Sequence, residues 1–304
     1  MNALFQKDRL RWLTRIVFAC VAFAGADLIP AATPDTHSAV SLRAKYAALG
    51  EQLDNNQFQR TLYLDSTESS RDLKGDIYAL VEYPFAQVNA ALNGPAHWCD
   101  VLMLHINTKY CRASTDKAGT VLAVSIGRKY DQPLDKAYRV EFAYRVAATT
   151  PDYLEVQLTS ETGPLGTSDY RILLEAVSVG SERTFLHFTY SYDYDLVGRL
   201  AMQVYLATVG RGKVGFTIIG KQPNSPPDYI RGVRGVVERN TMRYYLAIDA
   251  YLGALGAPFP EQLEKRLQSW FSSAERYPRQ LHEVDRTVYL DMKRREYQRQ
   301  QTVQ

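Results

Sequence analysis

In this 304-residue chain, polar groups set among apolar ones are the residues that could hold a small molecule. Asn240 and Thr241 interrupt an apolar helical stripe, and Tyr244 follows one turn later. Because a buried amide or hydroxyl needs a hydrogen-bonding partner, such groups facing a cavity would bind a polar atom of a ligand. A strand backbone or a neighbouring side chain would satisfy the same groups, and that alternative stays open.

Four tyrosines are candidates for the wall of the same cavity. The chain has 21 tyrosines, and several of them lie on the apolar faces of strand-like segments. The four are Tyr138, Tyr144, Tyr190 and Tyr192. A tyrosine presents an apolar ring and one hydroxyl, which suits an amphipathic ligand. Ordinary packing in a core and in hairpins is the competing interpretation.

Charged residues on the opposite strand faces resemble acid–base pairs. They are Arg139, Glu141, Arg145, Glu155, Arg171, Glu175 and His187. Cross-strand charge pairs on a solvated sheet face explain the pattern without catalysis, and we expect that arrangement. The spacing shows no serine–histidine–aspartate or cysteine–histidine arrangement. No catalytic residue, metal ligand or cofactor is therefore predicted.

Two cysteines, Cys99 and Cys111, remain once a predicted N-terminal leader is removed. A metal site would have to recruit His97 and His105, and this spacing is not a recognised tetrahedral pattern. Disulfides persist in oxidising compartments. We therefore predict a structural disulfide between Cys99 and Cys111.

The N-terminus has the composition of a secretory signal peptide. Basic residues from Lys7 onward precede an apolar run over residues 16–26, and small residues at its end fit cleavage after Ala26. A retained membrane anchor is the alternative, but it needs roughly 20 apolar residues. Asp27 and Pro30 interrupt the run too early for that. We expect a periplasmic or secreted protein.

The leader also carries the net charge of the chain. Residues 1–26 hold four basic residues and one acidic residue, so the formal charge of +3 belongs to them and the remainder is neutral. A neutral domain lacks the positive field that supplies most non-specific affinity for nucleic acid. Nucleic acid is therefore excluded as a partner.

Strands and helices must position the candidate residues. Apolar and polar residues alternate in most of the segments 76–83, 120–126, 138–146, 153–161, 170–179 and 184–192, which is typical of an antiparallel sheet with one covered face. A helical period follows over residues 196–209. Ser225 and Pro226 predict the start of a longer helix, whose stripe runs from Val233 to Leu255. Further helical patterns follow Pro258.

The segment VEYPFAQVNAALNGPAHWCDV, residues 81–101, resembles the start of START-like (SRPBCC, polyketide-cyclase-like) domains. In that family a strand runs into Pro-Phe, then into a helix with apolar positions such as Val88 and Leu92, and then a tryptophan such as Trp98. The resemblance extends from residue 76 to about residue 255. It implies an α+β helix-grip fold, in which a long C-terminal helix lies across a curved antiparallel sheet. Such folds often enclose an apolar cavity for lipids, sterols or polyketides.

The leader, a helix at 196–209 and a helical tail depart from the family pattern. The predicted organisation is a signal peptide (1–26), an N-terminal linker or helical segment (27–70), a START-like domain (71–257) and a helical C-terminal extension (258–304). The helices of the C-terminal extension are thus predicted to be additions to the helix-grip fold.

The resemblance leads us to expect a binding or carrier protein for a hydrophobic or amphipathic molecule, lipid- or sterol-like, held between the sheet and the long helix. Two alternatives stay open. One is an enzyme acting on a cyclic or polyketide-like substrate. The other is an envelope interaction module with a filled core. The ligand's identity, the oligomeric state and transient contact with a membrane are also left open.

Overall fold

The computed structural model describes residues 37–208, 210–221 and 225–302. The predicted signal peptide and its cleavage site at Ala26 lie outside the described residues. The described residues belong to one compact unit, Asp35–Gln304. That unit contains the predicted START-like domain together with much of the N-terminal segment and the helical extension.

Eight antiparallel strands form one curved sheet. They are β1 (Leu62–Glu68), β2 (Asp72–Val81), β3 (Thr108–Asp116), β4 (Gly119–Ile126), β5 (Tyr138–Thr149), β6 (Tyr153–Thr162), β7 (Thr167–Val179) and β8 (Arg183–Tyr194). Their order is β1-β2-β8-β7-β6-β5-β4-β3. Because strand side chains alternate between faces, Val140 and Phe142 on β5 point into the main core and Arg139 and Glu141 stay exposed.

Two short helices, α2 (Phe85–Leu92) and α3 (Pro95–Leu104), connect β2 to β3 across the inner face. Trp98 on α3 is fully buried, and its indole Nε1 donates to the Leu92 carbonyl over 2.7 Å. The predicted disulfide joins Cys99 on α3 to Cys111 on β3. This bond ties the second short helix to the edge strand of the sheet.

A 23-residue helix, α5 (Gly232–Ala254), packs on the inner face of the sheet through buried Val237, Leu246 and Ile248. The predicted start at Ser225 is wrong. Residues just before the helix are extended instead: β10 (Asp228–Tyr229) pairs with β9 (Ile218–Gly220), and the Ile230 N–H donates to the Thr217 carbonyl over 2.8 Å. The helix begins only at Gly232, which has a positive φ of 69°.

The chain order of β2, α2, α3, six further strands and α5 is the helix-grip order, with β1 added beside β2. The predicted α+β helix-grip fold is confirmed.

The helix α1 (Ala39–Asp54) covers part of the opposite sheet face, where buried Leu42 and Leu49 pack among Tyr153 and Phe185. The prediction that all the charged residues of this face are solvated is therefore wrong for three of them. Glu155, Glu175 and His187 are buried in this region. The other four, Arg139, Glu141, Arg145 and Arg171, are exposed.

Four more helices complete the described chain: α4 (Leu196–Ala207), α6 (Phe259–Ala274), α7 (Pro278–Leu281) and α8 (Arg286–Thr302). α4 follows β8 directly, as the period at 196–209 predicts. α8 packs against the edge strand β3, where Glu296 lies 2.9 Å from both Lys109 and Lys293. Within the described residues, none of these helices is both long enough and apolar enough to span a bilayer.

Candidate ligand-binding cavity

A cavity of about 300 Å³ lies between the inner face of the sheet, α5 and α4. Strands β7 and β8 contribute Tyr170, Tyr190 and Tyr192; α5 contributes Val236, Arg239, Asn240, Arg243 and Tyr244; α4 contributes Gly198, Ala201, Met202 and Tyr205. His105, Asn107, Thr108, Ile126, Lys129, Pro164, Leu165 and Thr167 complete the lining. The space between the sheet and α5 is therefore not completely filled by side chains.

Tyrosines form the sheet side of the cavity. Tyr170 stacks on Tyr192 with ring centroids 5.2 Å apart, and Tyr190 lies at the same distance from Tyr244 of α5. Burial raises the pKa of Tyr190, Tyr192 and Tyr244 above the ordinary phenol value, so these hydroxyls are neutral. The Tyr170 hydroxyl and Thr167 Oγ1 are 2.9 Å apart. This wall offers flat apolar surface with neutral hydroxyl groups.

The lining residues of α5 follow the spacing of one helix face. Val236, Arg239, Asn240, Arg243 and Tyr244 recur at intervals of three and four residues, so their side chains project in one direction. Most of this face is polar, whereas the neighbouring face of the same helix enters the apolar core. The cavity therefore combines an aromatic wall with a polar helix face.

That polar helix face gives the cavity a cationic end. Arg239 and Arg243 are almost completely buried. Arg243 pairs with Glu283 over 2.5 Å, and Lys129 pairs with the same carboxylate over 2.7 Å. Burial raises the pKa of Glu283, but Arg243 and Lys129 lower it by more, so this carboxyl is ionised.

His105 supplies a neutral group beside the cations. Its ring stacks on Tyr244 with centroids 4.5 Å apart, and its Nδ1 accepts the Asn107 backbone N–H over 3.2 Å. Burial, then the nearby charges of Arg243 and Lys293, lower the pKa of His105 well below its usual value. Because Nδ1 is the acceptor, the proton lies on Nε2, which has no partner among the described residues.

The helix α4 closes the cavity on a third side. Asp195 caps its first turn by accepting the Gly198 N–H over 2.8 Å. Ala201, Met202 and Tyr205 line the cavity, whereas Leu196 and Leu200 are 81% and 62% exposed on the other side of the helix. The cavity stays partly open to solvent, and α4, whose outer surface is apolar, forms one of its sides.

The predicted site residues divide into two groups. Asn240, Tyr244, Tyr190 and Tyr192 line the cavity. Their role as ligand contacts stays a prediction. Asn240 Oδ1 also accepts from Arg243 Nη1 over 3.2 Å, so it orients one of the cations.

The structure does not bring Thr241, Tyr138 or Tyr144 to this cavity. Thr241 lies one residue further round the helix than Asn240, is fully buried, and donates to the Val237 carbonyl over 2.8 Å. Tyr138 is half exposed at the start of β5. Tyr144 is half-buried on β5, and burial raises its pKa to about 12.

Sequence reasoning missed the two arginines and His105. A usable signal was present, because Arg239 and Arg243 flank Asn240 at helical spacing, one beside it and one three residues on. The sequence pattern suggests His105 only as a metal ligand. Its place in the cavity depends on the turn after α3, which no periodicity reveals.

A second polar cluster lies under α1 on the opposite sheet face. His187 Nδ1 is 2.8 Å from Glu175, and its Nε2 is 2.9 Å from Asp76. The Tyr153 hydroxyl donates to Glu175 over 2.7 Å, and the Thr189 hydroxyl donates to Asp76 over 2.6 Å. This cluster does not contact the cavity and is fully hydrogen-bonded. We interpret it as a structural network beneath α1.

Comparisons with solved structures find a similar chain path in several proteins. A truncated norcoclaurine synthase from Thalictrum flavum is 14% identical, with a TM-score of 0.33 over 48% of this chain and 89% of its own. A START superfamily protein from Mycobacterium smegmatis is 11% identical, with a TM-score of 0.31 over 47% of this chain and 93% of its own.

A conserved protein from Geobacillus kaustophilus is 14% identical, with a TM-score of 0.31 over 46% of this chain and 86% of its own. Likenesses this distant add nothing to the helix-grip order already described. No protein-family model matches the chain. No curated protein matches it in sequence.

Proposed function

We propose that this protein binds one compact amphipathic small molecule in the cavity between the sheet, α4 and α5, as a binding or carrier protein. The observation that carries the proposal is the cavity of about 300 Å³ with its tyrosine wall and polar helix face. Small-molecule sites are concave and mostly apolar, with a few polar groups that fix orientation. This cavity has both features.

The size of the cavity narrows the ligand class. Pockets for small molecules range over roughly 300–1,000 Å³, so this one lies at the lower end. A compact ring system or a single short chain suits such a volume. A two-chain lipid would have to extend past α4 into solvent, so we place the ligand among single-chain or ring-containing amphipaths.

An enzyme is the second candidate, favoured by one pair of groups. Lys129 Nζ lies 3.3 Å from the Tyr205 hydroxyl at the cavity wall. Burial raises the pKa of Tyr205, but Lys129 and Arg239 lower it by more, so the net shift is downward. A phenol with a lowered pKa is a candidate proton donor or acceptor. A bound molecule released unchanged after prolonged incubation favours the carrier.

We further propose that the protein acts in the periplasm or outside the cell. The predicted leader and the Cys99–Cys111 bond support this location. Intact-mass measurement of the mature protein, alkylated with and without reductant, tests both. We expect the mass of a chain that begins after Ala26. We also expect two thiols that react with the alkylating agent only after reduction. A full-length chain with three free thiols, Cys20 included, would contradict the proposal.

Ligand binding is tested by native mass spectrometry of the protein purified from its own host. The bound molecule is then extracted into organic solvent and identified. We expect a non-covalent mass that is lost on denaturation. Ala201→Trp places a large side chain in the cavity and should abolish that mass. A protein that carries no such mass and takes up no N-phenyl-1-naphthylamine, an uncharged apolar fluorophore, would contradict the proposal.

Asn240→Leu separates ligand contact from helix packing. The variant should carry less ligand while its thermal stability holds or rises, because Asn240 lines the cavity and Leu is the better helix former. Thr241→Val is the matched control on the same helix, since Thr241 faces β2 rather than the cavity. Equal ligand occupancy in wild type and Asn240→Leu would remove Asn240 from the site.

A further inference from the structure

The cationic end of the cavity has more positive charge than its own carboxylate can balance. Glu283 pairs with Arg243 and Lys129, and Lys213 Nζ lies 3.6 Å from it. Arg239 has no carboxylate within 4.0 Å in the described part of the chain, although its side chain is only 1% exposed. No acidic residue lines the cavity within that part. The local balance is therefore strongly positive.

Hydrogen-bonding capacity is also unused at this end. Arg239 Nη1 donates to the Val214 carbonyl over 3.1 Å, but Nη2 is buried without a partner among the described residues. The same holds for Arg243 Nε and His105 Nε2. All three belong to side chains that line the cavity and are at least nine-tenths buried. Native proteins pair most buried polar groups, so such a cluster of donors calls for an acceptor.

We infer that the molecule held in this cavity carries one anionic group, such as a carboxylate, which Arg239 binds with the help of His105 and Arg243. The inference rests on the proposed function and deepens it. A guanidinium is a planar fork of donors that matches the two oxygens of an oxyanion. A buried cation without a counter-charge is costly, and a bound anion would supply that charge.

The rest of the cavity suits the remainder of such a molecule. The four tyrosines of the wall are neutral and present flat ring surface, so they would contact an apolar or aromatic body. The anionic group would lie against α5 and the body against β7 and β8. The predicted ligand class is thus an amphipathic organic anion of compact size.

Two fluorophores that differ in one group test the inference. 1-Anilinonaphthalene-8-sulfonate carries a permanent anionic group, and N-phenyl-1-naphthylamine is the same ring system without it. Titration of the protein, with Ala201→Trp as the blocked-cavity reference, measures both affinities. We expect the sulfonate to bind roughly tenfold to hundredfold more tightly, the range of a hydrogen bond to a charged group.

Arg239→Met should remove that preference. We expect the affinity for the sulfonate to fall by roughly tenfold or more and the affinity for the uncharged fluorophore to stay within about twofold. Arg239→Lys keeps a cation and should retain most of the preference. Arg234→Met is the matched control, because Arg234 lies on the same helix and donates to Ser66 instead of lining the cavity.

Thermal unfolding separates ligand recognition from a structural role. Because Arg239 is a buried cation without a carboxylate partner, Arg239→Met should unfold at the same temperature as wild type or higher. A lower unfolding temperature together with an unchanged ratio of the two affinities would make Arg239 structural and overturn the inference.

Two other results have distinct meanings. If both fluorophores bind equally well and Ala201→Trp blocks both, the cavity binds ligands but does not select anions. The inference then fails and the proposed function stands. If Ala201→Trp blocks neither fluorophore, the cavity is not the binding site, and both fail.

Discussion

Replacing Glu296 by Gln should destabilise the protein far more than an ordinary charge removal. Glu296 is fully buried on α8, with one carboxylate oxygen 2.9 Å from Lys109 Nζ and the other 2.9 Å from Lys293 Nζ. Both lysines are also buried. The Glu296→Gln substitution keeps the size of the side chain and removes its charge, so two buried ammonium groups lose their shared carboxylate.

The magnitude follows from the burial of these groups. Removing one partner of a buried ion pair costs about 3–5 kcal/mol. Deprotonation offers a partial escape. Burial lowers the pKa of Lys293 to about 8 even though Glu296 raises it, so this amine loses its proton cheaply. Burial also lowers the pKa of Lys109, so loss of its proton can offset part of the cost there as well. A domain of this size loses roughly 2–4 °C per kcal/mol, so the unfolding midpoint should fall by roughly 6–20 °C.

The assay is thermal unfolding by circular dichroism at pH 7.4, with a control at another contact of α8. Glu264→Gln breaks the ion pair between Glu264 and Arg294, which joins α6 to α8 over 2.7 Å but is about 40% exposed. Exposed pairs contribute about 0–1 kcal/mol, so this variant should shift the midpoint by less than about 4 °C. Equal shifts for the two variants would refute the reasoning that burial sets the cost.

A second substitution tests whether the unpaired lysines cause the loss of stability. Lys109→Met in the Glu296→Gln background removes one of the two unpaired amines and fills the same space with an apolar chain. We expect the double variant to recover part of the lost stability. No recovery would mean that Glu296 acts through packing, not through charge.

The other predictions concern the opposite sheet face and the contact between α5 and β2. Beside Asp76 and Glu175, the pKa of His187 is raised despite its burial, whereas the pKa of each carboxyl is lowered despite theirs. The stabilisation from the histidine is therefore complete below about pH 6.5 and is lost as the pH rises through the pKa of His187 in the folded state. The stabilisation from the two carboxyls is lost when the pH falls below about 4. The free energy of unfolding in urea, measured at several pH values, should no longer decrease as the pH rises above about 6.5 in His187→Gln. The same pH dependence in the variant and in wild type would contradict this. Gly75→Ala should cost about 1–3 kcal/mol, because the added Cβ would overlap Thr241 Oγ1, and Thr241→Ala should restore part of it; additive losses in urea unfolding would show that the two residues do not touch.

The periodicity of apolar residues and the order of the predicted strands and helices were sufficient to predict the main architecture. Strand segments such as 138–146 and 184–192 alternate over most of their length, and the stripe from Val233 to Leu255 is long, so burial of one face leaves few other arrangements. The weak elements were missed. β1 and β3 are edge strands whose outer ends are exposed, so their alternation is incomplete. The false helix start at Ser225 arose from local capping signals that strand pairing overrides.

What the sequence by itself determined is which residues alternate, which helix is long, and which two cysteines form a disulfide. Those properties depend on neighbours within a few positions or on composition. Only the tertiary structure decided that Asn240 faces the cavity while Thr241 faces Gly75. One residue step turns a helix side chain by about 100°, and the position of the sheet decides which direction is open.

The same holds for charge. In sequence, Glu175, His187, Glu296 and Arg239 look like ordinary solvated residues. The burial of Glu175 and His187 depends on α1, that of Glu296 on β3, and that of Arg239 on the segment around Val214, and each of these lies elsewhere in the chain. Whether a charge pairs, costs stability or recognises a ligand is set by the partners and the solvent that the assembled fold leaves around it. For Arg239 the fold supplies no carboxylate in the described residues, and that fact directs the search for this protein's ligand towards anions.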